Sequence, residues 1–186
     1  MPTAIIRPTS TTSQTGWSVS NIHTVLSDEN DSTSATQNSV TCNFTGVLAD
    51  LDSGLSGATI NSFTISLLGG AGRGGASTVA MSLIHSSDGA FAAENESFTG
   101  SKSTQTTSAR TTQQDGSSAL TFAYINNCSV KIDPNTQGIQ AFELFVTVDY
   151  TAAASGYGND VNGVGSANIG KVDGVETANI EKVIGV

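Results

Sequence analysis

The chain has 186 residues and a formal charge of −9, from 7 basic and 16 acidic side chains, with 37% apolar and only 12% charged residues. That length suits one compact domain with an appendage, and so few charges argue against a charge-driven disordered chain. The cations are too few and too scattered to cradle phosphates, and no uninterrupted apolar run exceeds four residues, so the expected partners include neither nucleic acid nor membrane.

The opening Met1-Pro2-Thr3-Ala4-Ile5-Ile6-Arg7-Pro8 lacks the apolar stretch of a signal peptide. Thr3 to Arg7 reads as a short strand stopped by Pro8, and Asp28 to Asn38 as a polar, exposed loop. Beyond it, strict alternation recurs. Phe63, Ile65 and Leu67 form one apolar row, and Val79, Met81 and Leu83 a second. Leu120, Phe122 and Tyr124 make a third, and Val130 and Ile132 flank Lys131. The longest row is Phe142, Leu144, Val146, Val148 and Tyr150. A period of two sends successive side chains to opposite sheet faces, so each run predicts a half-buried strand. Ser103 to Thr112 reads either as an edge strand or as a mobile loop.

Connections rich in Gly, Ser, Asn and Asp favour turns over helices. The predicted fold is therefore all-β, an antiparallel β-sandwich of jelly-roll type over residues 1–154, followed by a hinge at 155–160 that contains Tyr157. Residues 161–186 form a repetitive tail. Val161-Asn162-Gly163-Val164-Gly165-Ser166-Ala167-Asn168-Ile169-Gly170-Lys171 is followed in register by Val172-Asp173-Gly174-Val175-Glu176-Thr177-Ala178-Asn179-Ile180-Glu181-Lys182, and a third unit begins at Val183. Asn-Gly and Asp-Gly favour tight turns; Ala-Asn-Ile-x-Lys reads equally as a helical turn or an extended link. Two and a third units fall short of the roughly three that a stacked array needs to cover its own apolar face. Val161, Val164, Ile169, Val172, Val175, Ile180, Val183 and Val186 are thus the predicted docking residues. Each such side chain gains about 1.5–3 kcal/mol on being covered.

Chemical motifs are sparse, and neither cofactor nor metal is predicted. Gly70-Ala71-Gly72-Arg73-Gly74-Gly75 has the spacing of a dinucleotide-binding turn, but a strand-like run follows where a helix is required, so a glycine-rich hairpin loop is expected. Cys42 and Cys128 read as reduced core thiols. His23 and His85 stand 62 positions apart with no nucleophile elbow beside them. Asp28-Glu29-Asn30-Asp31 lacks the spacing of a calcium loop and reads as a solvated acidic turn. Glu94 and Glu96 are not placed across a cleft, which leaves a depolymerase using Glu94 or Asp115 without support. Trp17, Tyr124 and Tyr150 are expected in the core.

Several phrases carry a family resemblance. Ile5-Ile6-Arg7-Pro8-Thr9-Ser10 followed by Gly16-Trp17, the Ser27-Asp28-Glu29-Asn30-Asp31 loop, Ala58-Thr59-Ile60-Asn61-Ser62-Phe63-Thr64-Ile65 and the closing Phe142–Thr151 run resemble β-sandwich domains in structural proteins of marine tailed bacteriophages. The Val-Asn-Gly-Val and Ala-Asn-Ile-x-Lys phrases are similar to terminal repeats of phage virion proteins. The resemblance implies a virion component without enzymatic activity, made in the bacterial cytoplasm and assembled onto a head or tail. The expected role is a capsid decoration, cement or head-fibre protein. It would contact other virion proteins and copies of itself, as a trimer by the geometry of shells. The competing expectation is a receptor module of a tail fibre or neck that binds host-surface glycan.

Overall fold

The computed structural model describes residues 2–39, 41–71, 76–135 and 138–153, together with the backbone of 171–172 and 175–176. Backbone contacts divide the chain into two compact units, Met1–Thr151 and Ala152–Val186.

In chain order the first unit contains β1 (Thr3–Ile6), β2 (Pro8–Thr15), α1 (Ile22–Leu26), β3 (Ala35–Thr36) and β4 (Asn43–Leu48). After a 3-10 turn at Ser53–Leu55 come β5 (Thr59–Ala71), β6 (Ser77–His85), β7 (Gly89–Ala90), β8 (Glu94–Phe98) and β9 (Ser103–Thr106). Helix α2 (Phe122–Asn126), β10 (Cys128–Pro134) and β11 (Ile139–Thr151) complete it. Every pairing is antiparallel. One sheet runs β1-β11-β5-β9, with β3 also on β11. The other runs β2-β4-β10-β6-β7, with β8 also on β6. From β4 to β6 the chain changes sheet at each strand, and it does so again from β8 through β11, which is the winding of a jelly roll. The predicted all-β sandwich is the fold.

The apolar rows meet in a single core. Phe63, Ile65 and Leu67 of β5, Val79, Met81 and Leu83 of β6, and Val130 and Ile132 of β10 are all buried. Leu144, Val146 and Val148 of β11 and Phe44 and Leu48 of β4 join them. Trp17 and Tyr124 belong to the same core, and Tyr150 packs against its margin. Among the described residues, the large hydrophobic side chains left exposed are Ile5 and Val47.

Four expectations need correction, and one is extended: β1 ends at Ile6, short of Pro8 as expected, and Pro8 then opens β2, which lies in the other sheet opposite β4. Proline is tolerated there because β2 is an edge strand. The segment 28–38 is not loop throughout, since Ala35–Thr36 pairs with β11 and Gln37 bridges to Trp17. Leu120 to Tyr124 is not a strand. Thr121 accepts a hydrogen bond from the Tyr124 amide and caps α2, a single helical turn that buries Tyr124 and Ile125. Phe142 leaves the inner row because a register shift between Ala141 and Glu143 resets the parity of β11, so Ile139 and Ala141 face inward before it and Leu144 after it. The glycine-rich segment after Gly70 does not close a hairpin, because β5 and β6 lie in different sheets. Residues 72–75 themselves lie outside the described residues. Within Ser103 to Thr112 only 103–106 is strand, paired with the edge of β5.

In the second unit β12 (Lys171–Val172) pairs antiparallel with β13 (Val175–Glu176), Val172 opposite Val175. The hinge 155–160 and Val161, Val164, Ile169, Ile180, Val183 and Val186 lie outside the described residues.

Candidate functional site

The histidines occupy unrelated settings. His23 Nδ1 shares a 2.8 Å hydrogen bond with the Thr11 hydroxyl, tying α1 to β2. His85 stacks on Tyr124, ring centroids 3.9 Å apart and planes 2° from parallel. Its Nδ1 lies 3.3 Å from the Ser87 hydroxyl and 3.4 Å from Asp88 Oδ2. A nucleophilic triad puts the nucleophile on one ring nitrogen of the histidine base and the orienting carboxylate on the other. Here serine and aspartate crowd one nitrogen within a tight turn, so Ser87 is not activated.

The acidic loop is latched to the sheet rather than gathered into a cation site. Asp28 accepts from the Asn30 amide and the Thr33 hydroxyl, within the loop. Glu29 pairs with Arg7 at 3.3 Å and Asp31 with Lys102 at 2.8 Å. Each cation also lies over a β11 aromatic, Arg7 over Phe145 at 5.6 Å and Lys102 over Phe142 at 4.9 Å. Arg7 further donates to Glu143 at 2.7 Å. The sequence does not disclose these latches because the loop's partners are distant along the chain, Lys102 lying 71 positions from Asp31. Among the described residues no three His, Cys, Asp or Glu side chains converge to hold a metal.

Glu94 and Glu96 stand on one side of β8, two residues apart. Glu94 pairs with Arg110 at 2.8 Å and accepts from the Ser108 amide. Burial first, then the neighbouring Glu94, raises the Glu96 carboxyl above the usual range. Neighbours on the same strand do not straddle a substrate as a hydrolytic pair must. Asp115 is held down to about 2 by the Ser118 hydroxyl and the Ser117 and Ser118 amides, a turn-capping role.

Cys42 and Cys128 are buried free thiols, both pushed up to about 12, chiefly by burial. By the register of β4 on β10 they sit at opposite ends of that ladder, roughly 20 Å apart at about 3.4 Å per residue, too far for a disulfide. Trp17 is buried with its indole N–H donating to the Asn43 carbonyl, so it offers no exposed platform.

What the sequence did not reveal is a cleft of about 450 Å³ on the rim of the sandwich. Its walls are the segments 90–92 and 110–116, brought together where Arg110 bridges to Phe63 of β5 through backbone hydrogen bonds of 2.9 and 3.0 Å. The walls brace each other. The Gln114 amide donates to the Ala90 carbonyl at 2.9 Å, and Arg110 to the Ala92 carbonyl at 3.1 Å. The floor is fixed by Phe91, edge-on to Phe63 at 5.2 Å and to Tyr124 at 6.2 Å. A short Ala-Phe-Ala segment and a polar run at 110–116 carry no periodic signal, so only the assembled fold displays the cleft.

No family model matches the chain, and no curated protein matches it. Among solved structures it is similar to the C-terminal CBM6 of LamC, a marine laminarinase from Zobellia galactanivorans, with 10% identity, a TM-score of 0.44, and coverage of 79% of this chain and 98% of that one.

Proposed function

We propose that the protein is a non-enzymatic structural component of a phage virion, a decoration, cement or head-fibre protein whose jelly roll is displayed and whose residues 161–186 dock on the particle or on copies of itself. The observation that carries this reading is a contrast within the chain. The body has a closed core and only Ile5 and Val47 as large exposed hydrophobics among the described residues, so it requires no partner. The repeat, by contrast, carries nine Val and Ile residues in too few units to shelter one another. A separate compact unit beginning at Ala152 is consistent with an attachment element appended to a finished domain.

The test is co-sedimentation of the full chain, and of a Val164→Asp/Val175→Asp variant, with phage particles stripped of it. The parent is expected to pellet with the particles and the variant to remain in the supernatant with its body still folded by circular dichroism. Equal sedimentation of the two refutes docking through the repeat.

A second reading, a glycan-binding module on a tail fibre or neck, is favoured by one observation, the braced cleft between 90–92 and 110–116.

A further inference from the structure

We propose that this rim cleft is a binding site for a neutral oligosaccharide, with Arg110, Thr112, Gln113 and Gln114 as its polar contacts and the Phe91 region as its apolar floor. The inference rests on the glycan reading for its ligand class and is independent of how the protein is mounted.

Three features point this way. The first is size and rigidity: about 450 Å³ lies within the roughly 300–1,000 Å³ of small-molecule sites, and a site braced before binding loses little freedom on binding. Both glutamines are held by their amide nitrogens, Gln113 to the Ala119 carbonyl at 2.7 Å and Gln114 to the Ala90 carbonyl at 2.9 Å. The Gln114 backbone amide donates to the Tyr124 hydroxyl at 3.2 Å, which fixes the wall from behind.

The second feature is the pattern of groups. With their nitrogens engaged, both amides have carbonyl oxygens without a protein partner among the described residues. Arg110 spends one Nη on Glu94 and the Ala92 carbonyl, and its other guanidinium N–H donors have no protein partner among the described residues. Acceptors beside a guanidinium fork and the Thr112 hydroxyl suit vicinal hydroxyls, which donate and accept at neighbouring positions. A pyranose also has an apolar face to lay on the exposed Ala90 and Ala92, with the buried Phe91 behind them.

The third is charge. Arg110 is already neutralised by Glu94 at 2.8 Å, Glu96 stands two residues on, and the whole chain carries −9. An anionic ligand such as a uronate or phosphate is therefore repelled, and a neutral one is not.

The experiment is amide NMR on the full chain, titrated with neutral tetrasaccharides of glucose, mannose and galactose and with an oligouronate of equal length. Saturable shifts confined to 90–92 and 110–116 are expected with at least one neutral sugar, and none with the oligouronate. Arg110→Lys retains the charge opposite Glu94 but loses the fork, and Thr112→Val removes one hydroxyl from a half-buried position. Each is expected to weaken binding about tenfold while leaving remote amide shifts unchanged. Saturable shifts at another face overturn this site but leave a glycan-binding role standing. Shifts with no sugar overturn both, and preference for the oligouronate overturns the neutral class.

Discussion

Replacing Gln37 by leucine isolates how a polar side chain holds β11 in place. Gln37 is 7% exposed, and its side-chain oxygen accepts from the amides of Gly138 at 3.1 Å and Ile139 at 3.3 Å, while its nitrogen donates to the Ser39 carbonyl at 2.8 Å. Gly138 and Ile139 are buried, so water does not replace the lost acceptor. Two unpaired buried amides cost about 1–3 kcal/mol each, and the extra apolar surface of leucine returns about 1 kcal/mol. The longer contact to Ile139 argues for the lower half of the range, so Gln37→Leu should destabilise the body by about 2 kcal/mol. For a domain of this size that corresponds to a fall of about 4–8 °C in Tm. Thermal and urea unfolding followed by circular dichroism give the number, and hydrogen exchange locates it. Protection should fall first where Gln140 pairs with Thr36 and Ala141 with Ala35. A variant within about 1 kcal/mol of the parent, or exchange lost uniformly across the sandwich, refutes the assignment.

Three further outcomes follow from the same geometry. Both thiols are raised from the ordinary value near 9 up to about 12, so the unfolded chain ionises them first. The stability they contribute is intact below pH 9 and is lost as pH climbs towards 12, and neither cysteine should react with Ellman's reagent at pH 8 until the chain unfolds; prompt labelling contradicts this. Arg7→Met leaves Glu29 and Glu143 without their shared cation, and should speed exchange over 28–33 and cost about 1–2 kcal/mol, with a smaller difference in 1 M salt. A carboxyl titration by NMR should show Asp115 still ionised near pH 3 and protonating near 2, whereas Ser118→Ala should bring it back towards ordinary aspartate behaviour.

How much of this was legible in the sequence depended on whether a residue's neighbours lie along its own strand. Phe63, Ile65 and Leu67, or Val79, Met81 and Leu83, announce their burial because the sandwich buries one face continuously. Strand β2 is silent because Thr9 to Thr15 carries no apolar alternation and is held by polar contacts, its backbone ladder to β4 and side-chain hydrogen bonds of Thr11 and Gln14 to the α1 region. Phe142 was misplaced by the register shift beside it, since one extra residue inverts the parity that periodicity reads. Leu120, Phe122 and Tyr124 match a strand and a five-residue helix equally well, and the Thr121 cap decides between them. The rim cleft is illegible for a different reason: Ala90 and Gln114 are 24 positions apart and meet only because β5 gathers Arg110 to its edge.

The virion proposal is tested most directly by quantitative mass spectrometry of purified particles of a phage whose genome carries this sequence. A capsid decoration or cement protein should be present in fixed proportion to the major shell protein and remain so after washing in high salt, because apolar docking is not screened. Its absence from washed particles contradicts the account.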